Sequence, residues 1–84
     1  MTKLTDLPNI GPKVAGDLET AGISTPEELR EIGAEGAFLR IRAQADASAC
    51  LHELEALAGA VEGVRKPQLS EARKAELRAW FRAL

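Results

Sequence analysis

Leu7-Pro8-Asn9-Ile10-Gly11-Pro12-Lys13 is the stretch on which the reading of this 84-residue chain turns. Pro12 fits the first position of a helix, where its fixed φ is already helical and its missing N–H leaves no bond unmade. Val14, Ala15, Leu18 and Ala21 then recur on the spacing of one helix face, and Gly22 offers the left-handed residue that ends many helices. Upstream, Lys3 to Leu7 has room for one helical turn. Asn9-Ile10-Gly11 therefore reads as a tight hairpin between two helical segments, where small or αL-tolerant residues let the backbone turn sharply.

Working outward, Thr25-Pro26-Glu27-Glu28 carries an N-cap, a proline at N1 and a glutamate at N3, the signature of a capping box. Leu29 and Ile32 face inward from this short helix, and Gly33 stops it. A longer helix is expected over roughly Ala34 to Ala45, with Ala37, Phe38, Ile41 and Ala45 on its buried stripe. Asp46 or Ser48 is the expected cap of the next, in which Leu51, Leu54, Leu57, Ala58 and Val61 keep a 3–4 spacing up to Gly63. After a loop through Pro67, Ser70 caps a last helix whose inner side takes Leu77, Trp80, Phe81 and Leu84. Leu29-Arg30-Glu31-Ile32-Gly33-Ala34 echoes the opening stretch, each with a leucine three residues before Ile-Gly, and a paired-hairpin pseudo-repeat is one reading of that echo.

Strand signals are thin. Phe38-Leu39-Arg40-Ile41-Arg42 alternates, but it lies inside an alanine-rich run from Ala34 to Ala47 that favours helix. The expected fold is all-α, a compact bundle of five to six short helices forming a single domain over residues 1–84. Cys50 is the lone cysteine, which excludes an intrachain disulfide. The N-terminus lacks the apolar segment of a signal peptide, and no run approaches the ~18 apolar residues of a membrane span. A soluble, cytoplasmic protein is the expectation, with no membrane partner.

The net charge of −2 hides an asymmetry. Residues 1–64 carry five Lys/Arg against eleven Asp/Glu, whereas residues 65–84 carry six against two. Tight binding to nucleic-acid phosphates favours a strongly basic balance, so a nucleic-acid role here must rest on a local patch. Lys74, Arg78 and Arg82, four apart, line one face of the last helix and are candidates for it. They also complement the negative end of the helix dipole, although like charges at this spacing weaken a helix slightly. Cys50 and His52 are too few for a structural zinc site, and Cys50 reads as a small core residue. Trp80 and Phe81 read as core. No constellation of titratable groups meets the roles of an active site, so no enzyme activity, metal or cofactor is expected.

Backbone N–H groups at the start of the helix after Gly11, with its positive dipole end, form a ready anion site, and Lys13 lies one residue into that helix. The pattern resembles the helix-hairpin-helix motif, a sequence-independent binder of DNA backbone whose hairpin usually reads Gly-hydrophobic-Gly. Here Asn9 stands in the first glycine position. Asn9, Ile10, Gly11 and Lys13 are the candidate phosphate contacts, with Lys74, Arg78 and Arg82 joining them if the fold brings both onto one face.

A wider resemblance covers most of the chain. Leu4 to Lys13, then Ala21-Gly22-Ile23-Ser24-Thr25-Pro26-Glu27-Glu28-Leu29, then Ile32 to Ala37, and later Leu54 to Gly63, look like the C-terminal domain of the TfoX/Sxy family of bacterial competence regulators. The resemblance implies a helix-hairpin-helix-like fold and a regulatory role. Members commonly carry an aromatic after the last glycine, where this chain has Arg65 and Lys66. They also pair the domain with an N-terminal α/β domain that has no counterpart here. Two readings follow. One is a regulatory module that contacts DNA backbone through the hairpin. The other is a protein-interaction module associated with transcription or competence regulation, without direct DNA contact.

Overall fold

Four of the five α-helices begin where the local chemistry tells them to, as the computed structural model, which describes residues 2–84, makes clear. Helix α1 spans Pro12–Thr20, α2 Pro26–Ile32, α3 Ala34–Gln44, α4 Leu51–Glu62 and α5 Glu71–Arg82, with 3-10 turns at Leu4–Asp6 and Lys66–Gln68 and no strand among the described residues. The capping box forms as expected: Glu28 N–H donates to Thr25 Oγ1 at 3.1 Å, and Glu28 Oε1 accepts from Thr25 N–H at 3.1 Å. Such a cap is worth about 1 kcal/mol. Ser70 caps α5 in the same way, accepting from Arg73 N–H at 3.0 Å. Gly33 ends α2 and starts α3 at φ 84°, a left-handed conformation that leaves no gap between the two helices.

Helix α3 packs on α4, with α1 and α2 against α3 and α5 against α4. Leu18, Leu29, Phe38, Ile41, Leu54 and Leu57 are fully buried between them, each worth about 1.5–3 kcal/mol on transfer from water. The radius of gyration, 11.6 Å, is close to the ~12 Å expected of a well-packed chain this long. Leu77 is the one buried residue of α5, and Trp80 and Phe81 are half-buried beside it. Both rings meet Phe38 edge-on, with centroids 6.1 and 5.8 Å away, and the Arg42 guanidinium lies over Phe38 and Phe81 at 5.7 and 5.8 Å. Arg73 fastens α5 polar side down. It pairs with Glu35 of α3 at 2.8 Å, Glu62 of α4 at 3.8 Å, and Glu76 on its own helix. Its hydrogen bond holds the Glu35 carboxyl below the usual carboxylate range.

Several expectations are corrected. Cys50 is exposed, and its neighbour Ala49 takes the core position. Asp46 and Ser48 do not cap α4. Asp46 Oδ1 accepts from Ser48 N–H and Oγ at 2.9 and 2.6 Å, closing a turn of its own, so α4 starts later with Cys50 at its N-cap. Ala45 is the exposed C-cap of α3 rather than part of its stripe. Leu84 is 54% exposed, because α5 ends at Arg82 before the next inward position. The two echoed hairpins also differ in build: the first is entered from a single 3-10 turn, the second from an α-helix through one shared glycine.

Candidate functional site

The hairpin turns on Asn9, which adopts the left-handed region at φ 69°. Asparagine tolerates that conformation better than other side chains, and here the side chain is tied down as well. Asn9 Nδ2 donates to Val64 O at 3.0 Å and to Ala56 O at 3.4 Å, while Oδ1 accepts from Lys66 N–H at 3.1 Å. One amide thus bonds the hairpin to the middle of α4 at Ala56 and to the segment, Val64 to Lys66, that follows this helix into the second 3-10 turn. The approach is close enough to exclude a side chain at Gly59, where a Cβ would lie 2.5 Å from Asn9 Nδ2 and 2.7 Å from Val64 O. Ile10 is buried and Gly11 is the exposed N-cap of α1, making no side-chain cap bond.

Over this turn lies an open cleft of about 460 Å³ whose lining includes Asp6, Asn9, Gly11 and Arg65. The cation at the hairpin cleft is thus Arg65, delivered by the Asn9 clamp on its neighbours Val64 and Lys66. Sequence reasoning missed it, since nothing local marks the pairing.

Lys13 points elsewhere. Its ammonium lies 2.8 Å from Asp17 Oδ2, 3.2 Å from Asp46 Oδ2 and 3.6 Å from Glu53 Oε1. Asp17 is one turn along α1 and was legible from the sequence; Asp46 in the α3–α4 loop and Glu53 at the start of α4 were not. Hydrogen bonds to Asp17 and Asp46 raise the Lys13 pKa well above the usual lysine value, so it stays charged. Three carboxylates thus share one ammonium, and the cluster holds more acidic groups than basic ones. Asp46 stays ionised, held low by its bonds from Ser48 and then from Lys13. Glu53 behaves oppositely. Its side chain is only 10% exposed, and no donor among the described residues reaches its Oε2. Burial pushes its carboxyl up, and the neighbouring charges of Asp17 and Asp46 add to that against the pull of Lys13.

Helix α5 contributes nothing to this cluster. Lys74 folds back toward Pro67 O at 3.4 Å and Glu71 at 3.6 Å, beside a groove shared with His52, Glu55 and Lys66. Arg78 and Arg82 are exposed and form no ion pair among the described residues; Arg82 Nε donates to Arg78 O at 3.4 Å. The described residues contain no group of three or more His, Cys, Asp or Glu able to hold a metal, and no helix among them is long and apolar enough to cross a membrane.

Fold and site together define a small all-helical domain with a clamped hairpin and a charged cluster at the start of α1. The chain belongs to the TfoX C-terminal domain family, which matches residues 1–81, and is thus related to the competence regulators. Two crystal structures of proteins from Listeria monocytogenes share its architecture. One, an uncharacterized protein in a triclinic form, is 48% identical with a TM-score of 0.95 over 98% of this chain and 92% of that one. The other, a protein of unknown function in a tetragonal form, is 49% identical with a TM-score of 0.92 over 95% and 96%. No curated protein matches the sequence.

Proposed function

We propose that this domain is a non-enzymatic regulatory module whose partner is a protein, and that its hairpin does not serve as a DNA-backbone contact. The observation that carries this reading is the engagement of Lys13. The lysine that a phosphate-binding hairpin needs is committed to Asp17, Asp46 and Glu53. The field it leaves at the start of α1 is negative, and negative charge repels phosphate. Asn9 spends its side chain on the protein's own backbone, which makes the hairpin a structural joint. The acidic balance of residues 1–64 points the same way.

The test is anisotropy of a labelled mixed-sequence duplex titrated with the domain at about 50 and about 200 mM salt, where non-specific binders have Kd values of roughly 10⁻⁴–10⁻⁶ M at physiological salt and bind more tightly below it. No binding is expected at either salt. Salt-sensitive binding abolished by Arg65→Glu, which reverses the cation at the hairpin cleft, refutes the reading and restores the DNA contact.

A further inference from the structure

We propose that the cluster formed by Lys13, Asp17, Asp46 and Glu53 is the docking point for an arginine of the protein partner, carried on a basic segment. The inference rests on the reading that the partner is a protein, and it goes further by naming the chemistry that the partner presents.

Three observations point to a cation. The first is charge. Carboxylates from α1, the α3–α4 loop and α4 converge on a single ammonium, so the cluster stays under-neutralised. The second is Glu53, which is nine-tenths buried, turns its Oε1 toward Lys13, and holds an Oε2 that no donor reaches. A buried carboxylate without its full set of donors is a position the fold disfavours. An added positive charge nearby offsets that. The third is access. The Lys13 side chain is 69% exposed, so the cluster lies open at the surface, and Asp46 at 27% presents its edge to solvent beside it. A guanidinium suits this arrangement better than an ammonium, because its planar fork can donate to two carboxylates at once. Asp17 and Asp46 both use Oδ2 on Lys13, and Asp17 Oδ1 accepts no hydrogen bond among the described residues.

The experiment is a nuclear magnetic resonance titration of the isotope-labelled domain with a hexa-arginine amide peptide, in parallel with Glu53→Gln, Asp46→Asn and Glu27→Gln variants. Asparagine at position 46 can still accept the Ser48 bonds, and glutamine at 53 keeps the volume, so both variants should fold. Circular dichroism melting checks that they do. Glu27 is exposed on α2, and its variant controls for diffuse attraction to an acidic surface. The expected result is shifts centred on residues 13, 17, 46 and 53, with affinity falling about tenfold in Glu53→Gln and Asp46→Asn and unchanged in Glu27→Gln. Equal affinity in all four proteins, or shifts spread over α2 and α4 alike, overturns the proposal. In that case a duplex that still fails to bind leaves the protein-partner reading standing, whereas duplex binding removes both.

Discussion

Substituting Gly59 by alanine tests the clamp that organises the hairpin, and the two physical contributions to its effect have opposite signs. Gly59 lies inside α4, where helix propensity alone favours alanine by about 0.8–1 kcal/mol. Against this, the new Cβ would stand 2.5 Å from Asn9 Nδ2 and 2.7 Å from Val64 O. The carbonyl is backbone and cannot rotate away. Separation of α4 from the Val64–Lys66 segment weakens the Asn9 bonds to Val64 and Lys66, each worth about 1 kcal/mol, and overpacking adds about 1–3 kcal/mol. The net is a loss of about 2–3 kcal/mol. For a domain of this size about 1 kcal/mol moves the midpoint by 4–8 °C, so the melting temperature should fall by roughly 8–24 °C. Circular dichroism melts and urea titrations read it. Asn9→Ala should reduce the penalty of Gly59→Ala, because one of the clashing partners is then gone, and the double mutant should be more stable than additivity predicts. Gly16→Ala, on α1 with open space around its Cβ position, supplies the control and should stabilise by about 0.5–1 kcal/mol. If Gly59→Ala stabilises by as much as Gly16→Ala, the close approach at Asn9 is not a constraint and the account of the hairpin fails.

Two further predictions concern charge. Arg73→Ala removes the ties from α5 to Glu35 and Glu62 and should destabilise by about 1–2 kcal/mol, a loss that shrinks in molar salt because the pairs are partly exposed. The second concerns acid. The Glu53 carboxyl is raised above its ordinary 4.5 by burial, so its charged form burdens the fold at neutral pH. That burden lifts as the pH falls through the raised value and is gone below 4.5. Glu53→Gln should therefore be more stable than the parent at pH 7 and lose that advantage towards pH 4, in chemical denaturation across the range. Glu35, held low by Arg73, runs the other way: its contribution is present above about 4.5 and is lost as the pH falls through its lowered value. An advantage for Glu53→Gln that grows on acidification contradicts the assignment.

What could be read in the sequence was whatever is written within one helical turn. The Thr25–Glu28 box and the Ser70 cap each join residues three apart, so composition and order suffice to find them. The start of α4 shows the limit of that. Asp46 and Ser48 are both good caps, but their mutual bonds satisfy a turn instead. The delay in the helix start brings Ala49 and not Cys50 to the core. At the candidate site the difference is one of distance along the chain. Asp17 is four residues from Lys13, whereas Asp46 is 33 away, and only the packed fold brings the distant carboxylate into contact. The local pair alone is visible in the sequence, and the two distant carboxylates around Lys13 are not.

Asn9 carries the same lesson to the motif itself. A glycine in its place would meet the conformational demand of φ 69° as well or better and would leave the hairpin backbone open to a ligand. An asparagine adds a donor and an acceptor, and both are used on partners 47, 55 and 57 positions downstream. The residue that reads as a weakened phosphate loop is thus the one that ties the N-terminal hairpin to α4 and to the segment that follows it. Gly59, which carries no signal of its own in the alanine-rich α4, is the space that lets it do so. A hairpin held in this way has its one polar side chain turned to its own protein. The charged surface left beside it is the Lys13 cluster, and on the proposed reading its carboxylates meet a cation of the partner.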